Sequence, residues 1–347
     1  MNPVLLAIIK AAVVVFFNLN LVALMVYLER KLVGRIQHRV GPNRAGPFGL
    51  LQPMADIVKL ILKEDVTPRG ADRWIYGLAP ILAATLAFIG YAPIPFGPPG
   101  WQVADINVGL LYMLMISSLT VYGVMLGGWA SNSKYSLLGA LRSSAQMISY
   151  ELGLAGAVVA VVMVSGTLDL RSIVDDFQAQ GGLGWLPGWN IASPLLWPSF
   201  IVFSICAYAE LNRVPFDLPE AEGELGAGFH TEYSSGRFAM FFMAEYAGLA
   251  TMSALAVTLY FGGWSGLGWF DLDRLPAWLG WYSTIAPTVI FFTKQMVFMV
   301  GAIWVRATLP RMRYDQLMNL GWKVLIPVAT ANLVALALFE AASQRWF

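Results

Sequence analysis

The sequence predicts an all-α polytopic membrane protein, with about eight transmembrane helices and one amphipathic surface helix in its first long loop. Three observations carry that prediction. The 347 residues are 58% hydrophobic and only 12% charged, with a mean hydropathy of +0.63; a soluble domain carries roughly twice that charged fraction. Apolar runs near the length of about 20 residues that a bilayer demands recur along the whole chain. Lys and Arg collect in alternate loops, as they do when one side of a membrane retains positive charge.

In order, the apolar runs cover roughly 4–28, 75–95, 108–130, 143–165, 195–211, 238–262, 284–305 and 321–341, within a single membrane domain. The N-terminal run lacks the basic start and small-residue cleavage site of a signal peptide, so it reads as a retained first helix. With eight spans the loops alternate between two sides. The side holding 29–74, 131–142, 212–237 and 306–323 carries 17 of the 22 Lys and Arg, which places that side in the cytoplasm and both termini on the outer side. Nine of the 13 tryptophans fall on the outer side and read mostly as an interfacial belt. The outer loops 91–107 and 166–194 read as short covers without chemistry.

The first cytoplasmic loop contains a different pattern. Within 47–63 the apolar residues Leu50, Leu51, Met54, Ile57, Val58 and Ile61 recur at helical spacing, while Gln52, Asp56, Lys59 and Lys63 form an opposing stripe. Such a helix lies along a membrane surface and does not cross it. Periodicity leaves two readings open: a surface anchor, or a roof over an opening between membrane and cytoplasm.

Acids gather where bases should dominate. Residues 210–245 hold seven of the chain's 21 acids, Glu210, Asp217, Glu220, Glu222, Glu224, Glu232 and Glu245, against only Arg213 and Arg237. Pro215, Pro219 and four glycines make a continuous helix across 213–237 unfavourable. An irregular acidic segment at membrane depth must be covered by protein or line a wet cavity. Glu29, Glu151, Glu245 and Lys294 fall inside or at the ends of other spans. A charge at a helix centre costs about 2.5–3.5 kcal/mol on insertion scales, so these groups call for partners or water. One reading is a set of buried salt bridges, for instance Lys294 with one acid. The other is a chain of carboxyls that titrate together and hand protons along.

Several chemistries are excluded. Cys206 is the single cysteine and allows neither a disulfide framework nor an iron–sulfur site from this chain alone. His38 and His230 lie in polar stretches, which rules out a haem held by two histidines within the membrane. A net charge of +1 gives no field for nucleic acid. The acids lack the spacing of a calcium loop, and no phosphate loop or dinucleotide fingerprint is present.

Three motifs then stand together: YLERKLVGRIQHRVGPNRAGPFGLLQPMADIVKLILKED at 27–65, AELNRVPFDLPEAEGELGAGFHTEYSSGRFAMFFMAEY at 209–246 and WVRATLPRMRYDQLMNLGWK at 304–323. They resemble the H subunit (numbered 1 in mitochondria) of the proton-pumping NADH:quinone oxidoreductase, respiratory complex I, over nearly the whole chain. The resemblance implies a non-redox subunit that walls a quinone chamber where the membrane meets a soluble electron-transfer arm. Its bound substrate would be a quinone, ubiquinone in the first instance, and no flavin, haem or cluster would sit in this chain. Its partners would be the other membrane and soluble-arm subunits and the lipids of an energy-transducing membrane, the bacterial plasma membrane or the mitochondrial inner membrane.

The same resemblance assigns Glu29, Arg30, Asp56, Lys59, Arg213, Asp217, Glu220, Glu222, Glu224, Glu232 and Tyr233 to the chamber. It assigns Glu151, Glu210 and Glu245 to a proton path, with Lys294 beside them, and Arg306, Arg311 and Arg313 to the interface with the soluble arm. Two alternatives use the same residues differently. The related component of a membrane-bound hydrogenase would resemble this chain without a quinone, although the complete GPNRAGPFGLLQP motif favours the quinone branch. A stand-alone ion transporter would use the acids as ion ligands, but the internal repeats common in that class are not visible.

Overall fold

The structure is a computed structural model that describes residues 3–98, 100–179, 189–217, 226–266 and 280–343. Among these residues every regular element is helical. The elements are α1 (Pro3–Ile36), α2 (Gln52–Leu62), α3 (Arg73–Ile89), α4 (Gly109–Ala130), α5 (Lys134–Ser165), α6 (Leu170–Ala179), α7 (Trp197–Glu210), α8 (Ser235–Tyr260), α9 (Gly280–Thr308), α10 (Tyr314–Leu320) and α11 (Ile326–Ser343). A five-residue π-turn at Gly321–Leu325 joins α10 to α11, so the pair runs as one rod.

Among the described residues six of these rods are long and apolar enough to cross a membrane. The other two expected spans are shorter helices, α3 with 17 residues and α7 with 14. At 1.5 Å per residue they reach about 26 and 21 Å, short of a hydrocarbon core of about 30 Å. Gly90 closes α3, and the 3-10 turn at Pro194–Leu196 precedes α7. Elsewhere the helices outrun the apolar runs. α1 continues to Ile36 and α5 begins at Lys134, because hydrophobicity marks depth in a membrane whereas a helix stops only at a breaker. Ser133 and a left-handed Gly166 bound α5.

Helix α8 is the most buried of the six, with Val257, Leu259 and Tyr260 fully enclosed. It packs against α1, α3 and α9, while α4 and α5 stack beyond α3 and α7 packs against α5. Close approach uses small residues. A Cβ on Gly128 would lie 2.3 Å from the Ala140 Cβ, and one on Gly139 would lie 2.8 Å from the Gly228 Cα. The second contact seats the segment after residue 226 directly on α5.

The surface helix begins later than the periodicity suggests. Gly46, Phe48 and Gly49 have positive φ, so 47–49 form a separate turn before α2. Its orientation is informative: Met54, Ile57, Val58 and Ile61 face outward, whereas Asp56 turns inward to α1. The loop 166–194 also departs from expectation. Asp169 accepts hydrogen bonds from the Arg171 and Ser172 amides and starts α6, which buries Leu170, Ile173 and Val174. That helix was hidden by its even balance of apolar and charged residues.

Candidate functional site: paired and unpaired carboxylates around a buried cavity

Four elements bring charge to one point. Glu29 lies on α1, Arg213 just after α7, Glu245 and Tyr246 on α8, and Arg306 on α9. Arg213 is 2% exposed. Its Nε donates to Glu245 Oε1 at 2.6 Å and its Nη1 to Glu29 Oε2 at 3.3 Å. The guanidinium lies 4.1 Å from the centre of the Tyr246 ring, and the Tyr246 hydroxyl donates to Glu29 Oε2 at 2.8 Å. Arg306 Nη1 donates to Glu29 Oε1. Two acids and two bases balance, which is what burial of this much charge requires. Burial works against the Arg213 charge, but Glu245, Tyr246 and Glu29 outweigh it and hold the guanidinium above its ordinary range.

The turn that delivers Arg213 is held from α5. Gln146 Nε2 donates to the Ala209 carbonyl at 2.7 Å and to the Phe216 carbonyl at 2.8 Å. Arg311 Nη2 donates to Asp217 Oδ2 at 3.0 Å, and the Met312 amide to the Pro215 carbonyl at 3.0 Å. Burial pushes the Asp217 carboxyl up, and Arg311 opposes that shift.

A second pair of acids is held differently. Ser117 and Ser118, adjacent on α4, donate their hydroxyls to Glu210 Oε1 and Glu151 Oε1 respectively. Among the described residues the hydrogen-bond partners of these carboxylates are hydroxyls, not cations. Glu210 Oε2 is buried with no protein partner among those residues.

The two groups meet at a cavity. Bounded by α3, α4, α5, α7, α8 and the segment after residue 226, it encloses about 1140 Å³ counting its open mouth. Glu210 and Glu245 both line it, with Phe229, His230, Phe238, Phe241 and Phe242 among its apolar walls. Glu245 therefore touches Arg213 on one side and the cavity on the other. Burial holds the His230 imidazole down at about 4, so it is neutral at pH 7.

The remaining expected residues divide. Arg30 pairs with Asp56 at 2.6 Å and thereby ties α1 to α2, while Lys59 is exposed on α2. Tyr233 stacks on Tyr76 with ring centres 4.1 Å apart and donates to the Tyr76 and Gly127 carbonyls, both at 3.3 Å. Burial pushes its phenol up. Glu232 contributes its backbone, accepting from the Tyr76 hydroxyl at 2.7 Å. Glu220, Glu222 and Glu224 lie outside the described residues.

Three placements add to the sequence reading. Lys294 does not join the carboxylates. Its Nζ donates to the Phe261, Gly263 and Ser265 carbonyls at 2.8, 3.1 and 2.8 Å and lies 4.3 Å from the Trp189 ring centre. It caps the C-terminal end of α8, where unsatisfied carbonyls attract a cation. Arg306 and Arg311 turn inward to Glu29 and Asp217 and do not stand free at an outer surface, whereas Arg313 is exposed beside Asp315.

Sequence reasoning also passed over Ser117, Ser118, Tyr246 and Arg237. Arg237 pairs with Asp65 at 3.3 Å, donates to Thr67 at 2.9 Å and lies 5.1 Å from the Tyr76 ring centre. Two adjacent serines inside an otherwise apolar span were the available signal. Among the described residues no cluster of His, Cys, Asp and Glu is placed to hold a metal ion.

Known proteins align with this arrangement along its length. The family model described as NADH dehydrogenase matches residues 9–337. The second of the NADH-quinone oxidoreductase H subunits of Geobacter sulfurreducens is 50% identical, the match covering 94% of this chain and 93% of the relative. The first of the H subunits of Geobacter metallireducens is 49% identical with the same coverage. The H subunit of Deinococcus radiodurans is 47% identical over 97% of this chain and 83% of its own. This multi-pass helical chain, with its cluster of carboxylates, therefore belongs to the NADH dehydrogenase family, alongside the H subunits of NADH-quinone oxidoreductase.

Proposed function

We propose that this chain is the membrane subunit of an NADH:quinone oxidoreductase that walls the quinone-binding chamber at the junction with the soluble arm, and that it couples quinone reduction to proton translocation. The observation that carries the reading is the continuity of carboxylates. Glu29 and Glu245 share Arg213, Glu245 also lines the cavity, and Glu210 lines the same cavity with Glu151 held on the next serine. Reduction of a quinone consumes protons as well as electrons. A chamber beside the Glu29–Arg213 cluster would therefore draw on a row of groups leading into the membrane.

In this reading α2 forms the entrance. Its apolar face rests in lipid while Asp56 and Arg30 hold it to α1, and Lys59 stands at the membrane surface. Arg213, Asp217, Tyr233 and the acids Glu220, Glu222, Glu224 and Glu232 line the chamber. Glu151, Glu210 and Glu245 form the proton path. Electrons arrive from redox groups of partner subunits, with ubiquinone the first candidate substrate. The base-rich loops face the cytoplasm of a bacterial cell, or the equivalent side of a mitochondrial inner membrane, and both termini face outward. Arg313 and the exposed start of α10 meet the soluble arm.

The test is Glu210→Gln in the intact complex. A positioned proton-transfer group contributes about 10²–10⁴ in rate, so quinone-linked NADH oxidation and proton pumping should fall by about a hundredfold. Ferricyanide reduction by the flavin arm should persist. Full pumping in the variant overturns the proposal.

A further inference from the structure

The cavity between α3, α4, α5, α7 and α8 has a chemistry of its own. Its walls are largely Leu, Met and Phe, yet Glu210 and Glu245 both reach its surface. Arg213 neutralises Glu245 from outside the cavity. Among the described residues Glu210 has only the Ser117 hydroxyl on Oε1, and its Oε2 is buried with no protein partner. No Lys or Arg is among the described lining residues. His230 shares the wall and is uncharged at pH 7, because burial holds its imidazole at about 4. An orphaned acceptor in an apolar space is costly to leave unmet.

We propose that this cavity is a binding site for lipophilic ammonium compounds, with the hydrocarbon part among its apolar walls and the ammonium on the Glu210 carboxylate. A protonated amine supplies the donor that Oε2 lacks among the described residues and the positive charge that the described lining lacks. The rings of Phe238, Phe241 and Phe242 offer further faces to a cation. A fatty acid of similar size is disfavoured, since its carboxylate would face two others. A neutral isostere fills the walls but leaves Oε2 with a weaker donor, and sites built around a buried polar group discriminate strongly on that ground. The site rests on the cavity alone and stands apart from the coupling role proposed above.

The probes are para-butylbenzylamine and para-butylbenzyl alcohol, tested on the intact solubilised complex at pH 7. Binding is read as a thermal shift, and inhibition as loss of NADH:quinone reductase activity at several quinone concentrations. The amine should act at concentrations at least about tenfold below the alcohol, the range expected for a hydrogen bond to a charged group, and should not compete with quinone. Glu210→Gln, nearly isosteric, should erase the amine's advantage. Ala87→Leu, which fills the cavity, should weaken both compounds, and Ala244→Leu serves if that complex does not assemble. Equal potency of the two probes, an advantage that survives Glu210→Gln, or simple competition with quinone overturns the site. Loss of pumping in Glu210→Gln with the amine's advantage intact would overturn this inference while the proposed function stands.

Discussion

Two sets of carboxylates, Glu210 buried and the others half-buried, lie next to each other in this protein and are held in opposite ways. Glu29 and Glu245 are fixed by cations: Arg213 bridges both, and Arg306 adds a second bond to Glu29. Glu151 and Glu210 are held by the hydroxyls of Ser118 and Ser117. A cation locks a carboxylate in its charged form, and removing it strands a charge in a low-dielectric interior. A hydroxyl can donate to the carboxylate or accept from the acid, so the pair tolerates either protonation state. The first set therefore ties helices together through ion pairs. The second is held by hydroxyls that can pair with either form of an acid, and Glu245 stands where the two sets touch.

The most severe break in that comparison is Arg213→Leu. It leaves Glu29 with Arg306 as its only described base and leaves Glu245 without a described base, in a site where Arg213 itself is 2% exposed. Stranding one partner of a buried pair costs about 3–5 kcal/mol, to be seen as a lower melting temperature or failed assembly of the complex. Adding Glu245→Gln should recover part of the loss, because the two residues act as a unit. If Arg213→Leu destabilises no more than Glu210→Gln, the division into ion-paired and hydroxyl-held carboxylates is wrong.

A smaller effect separates the cavity from the cluster by pH. His230 titrates at about 6.5 in the unfolded chain and at about 4 when folded, because burial disfavours its charge. Between these values the unfolded state binds the extra proton, so this contribution to stability is complete above pH 6.5 and is lost as pH falls toward 4. Melting temperature measured from about pH 7 to about pH 4.5 should decline, and His230→Phe should flatten that decline. An identical slope in the variant would place the pH dependence elsewhere.

The sequence made one part of this division legible and hid the other. Glu29, Glu151, Glu210 and Glu245 are conspicuous because a carboxyl in or beside an apolar run is rare. Which of them receives a cation depends on contacts across 184 residues for Arg213 with Glu29 and 277 for Arg306 with Glu29, and no local pattern encodes those. Ser117 and Ser118 hold the other pair, yet they lie in an apolar run where serine commonly bonds its own helix backbone. The bundle itself was readable from hydrophobic runs. The ends of α1 and α5 were not, since hydropathy falls before the helix stops. The amphipathic 47–63 stretch was found from periodicity, but the turn that shortens it to α2 depends on positive φ at Gly46, Phe48 and Gly49.

Lys294 gives the finest test, as the charged group that belongs to neither set. Sequence position inside an apolar run suggested a partner acid or a place in the proton path. Its three carbonyl acceptors and the Trp189 ring instead make it a cap that binds the end of α8 to α9. Lys294→Met keeps the length and apolar stem of the side chain but leaves those carbonyls without their charged donor. Hydrogen bonds to charged groups contribute about 1.5–3 kcal/mol, so the variant should melt earlier by an amount of that order, below the cost of Arg213→Leu. Because no described carboxylate depends on Lys294, the number of protons pumped per NADH oxidised should be retained in complexes that assemble. A reduced ratio with unchanged stability would return Lys294 to the proposed proton path.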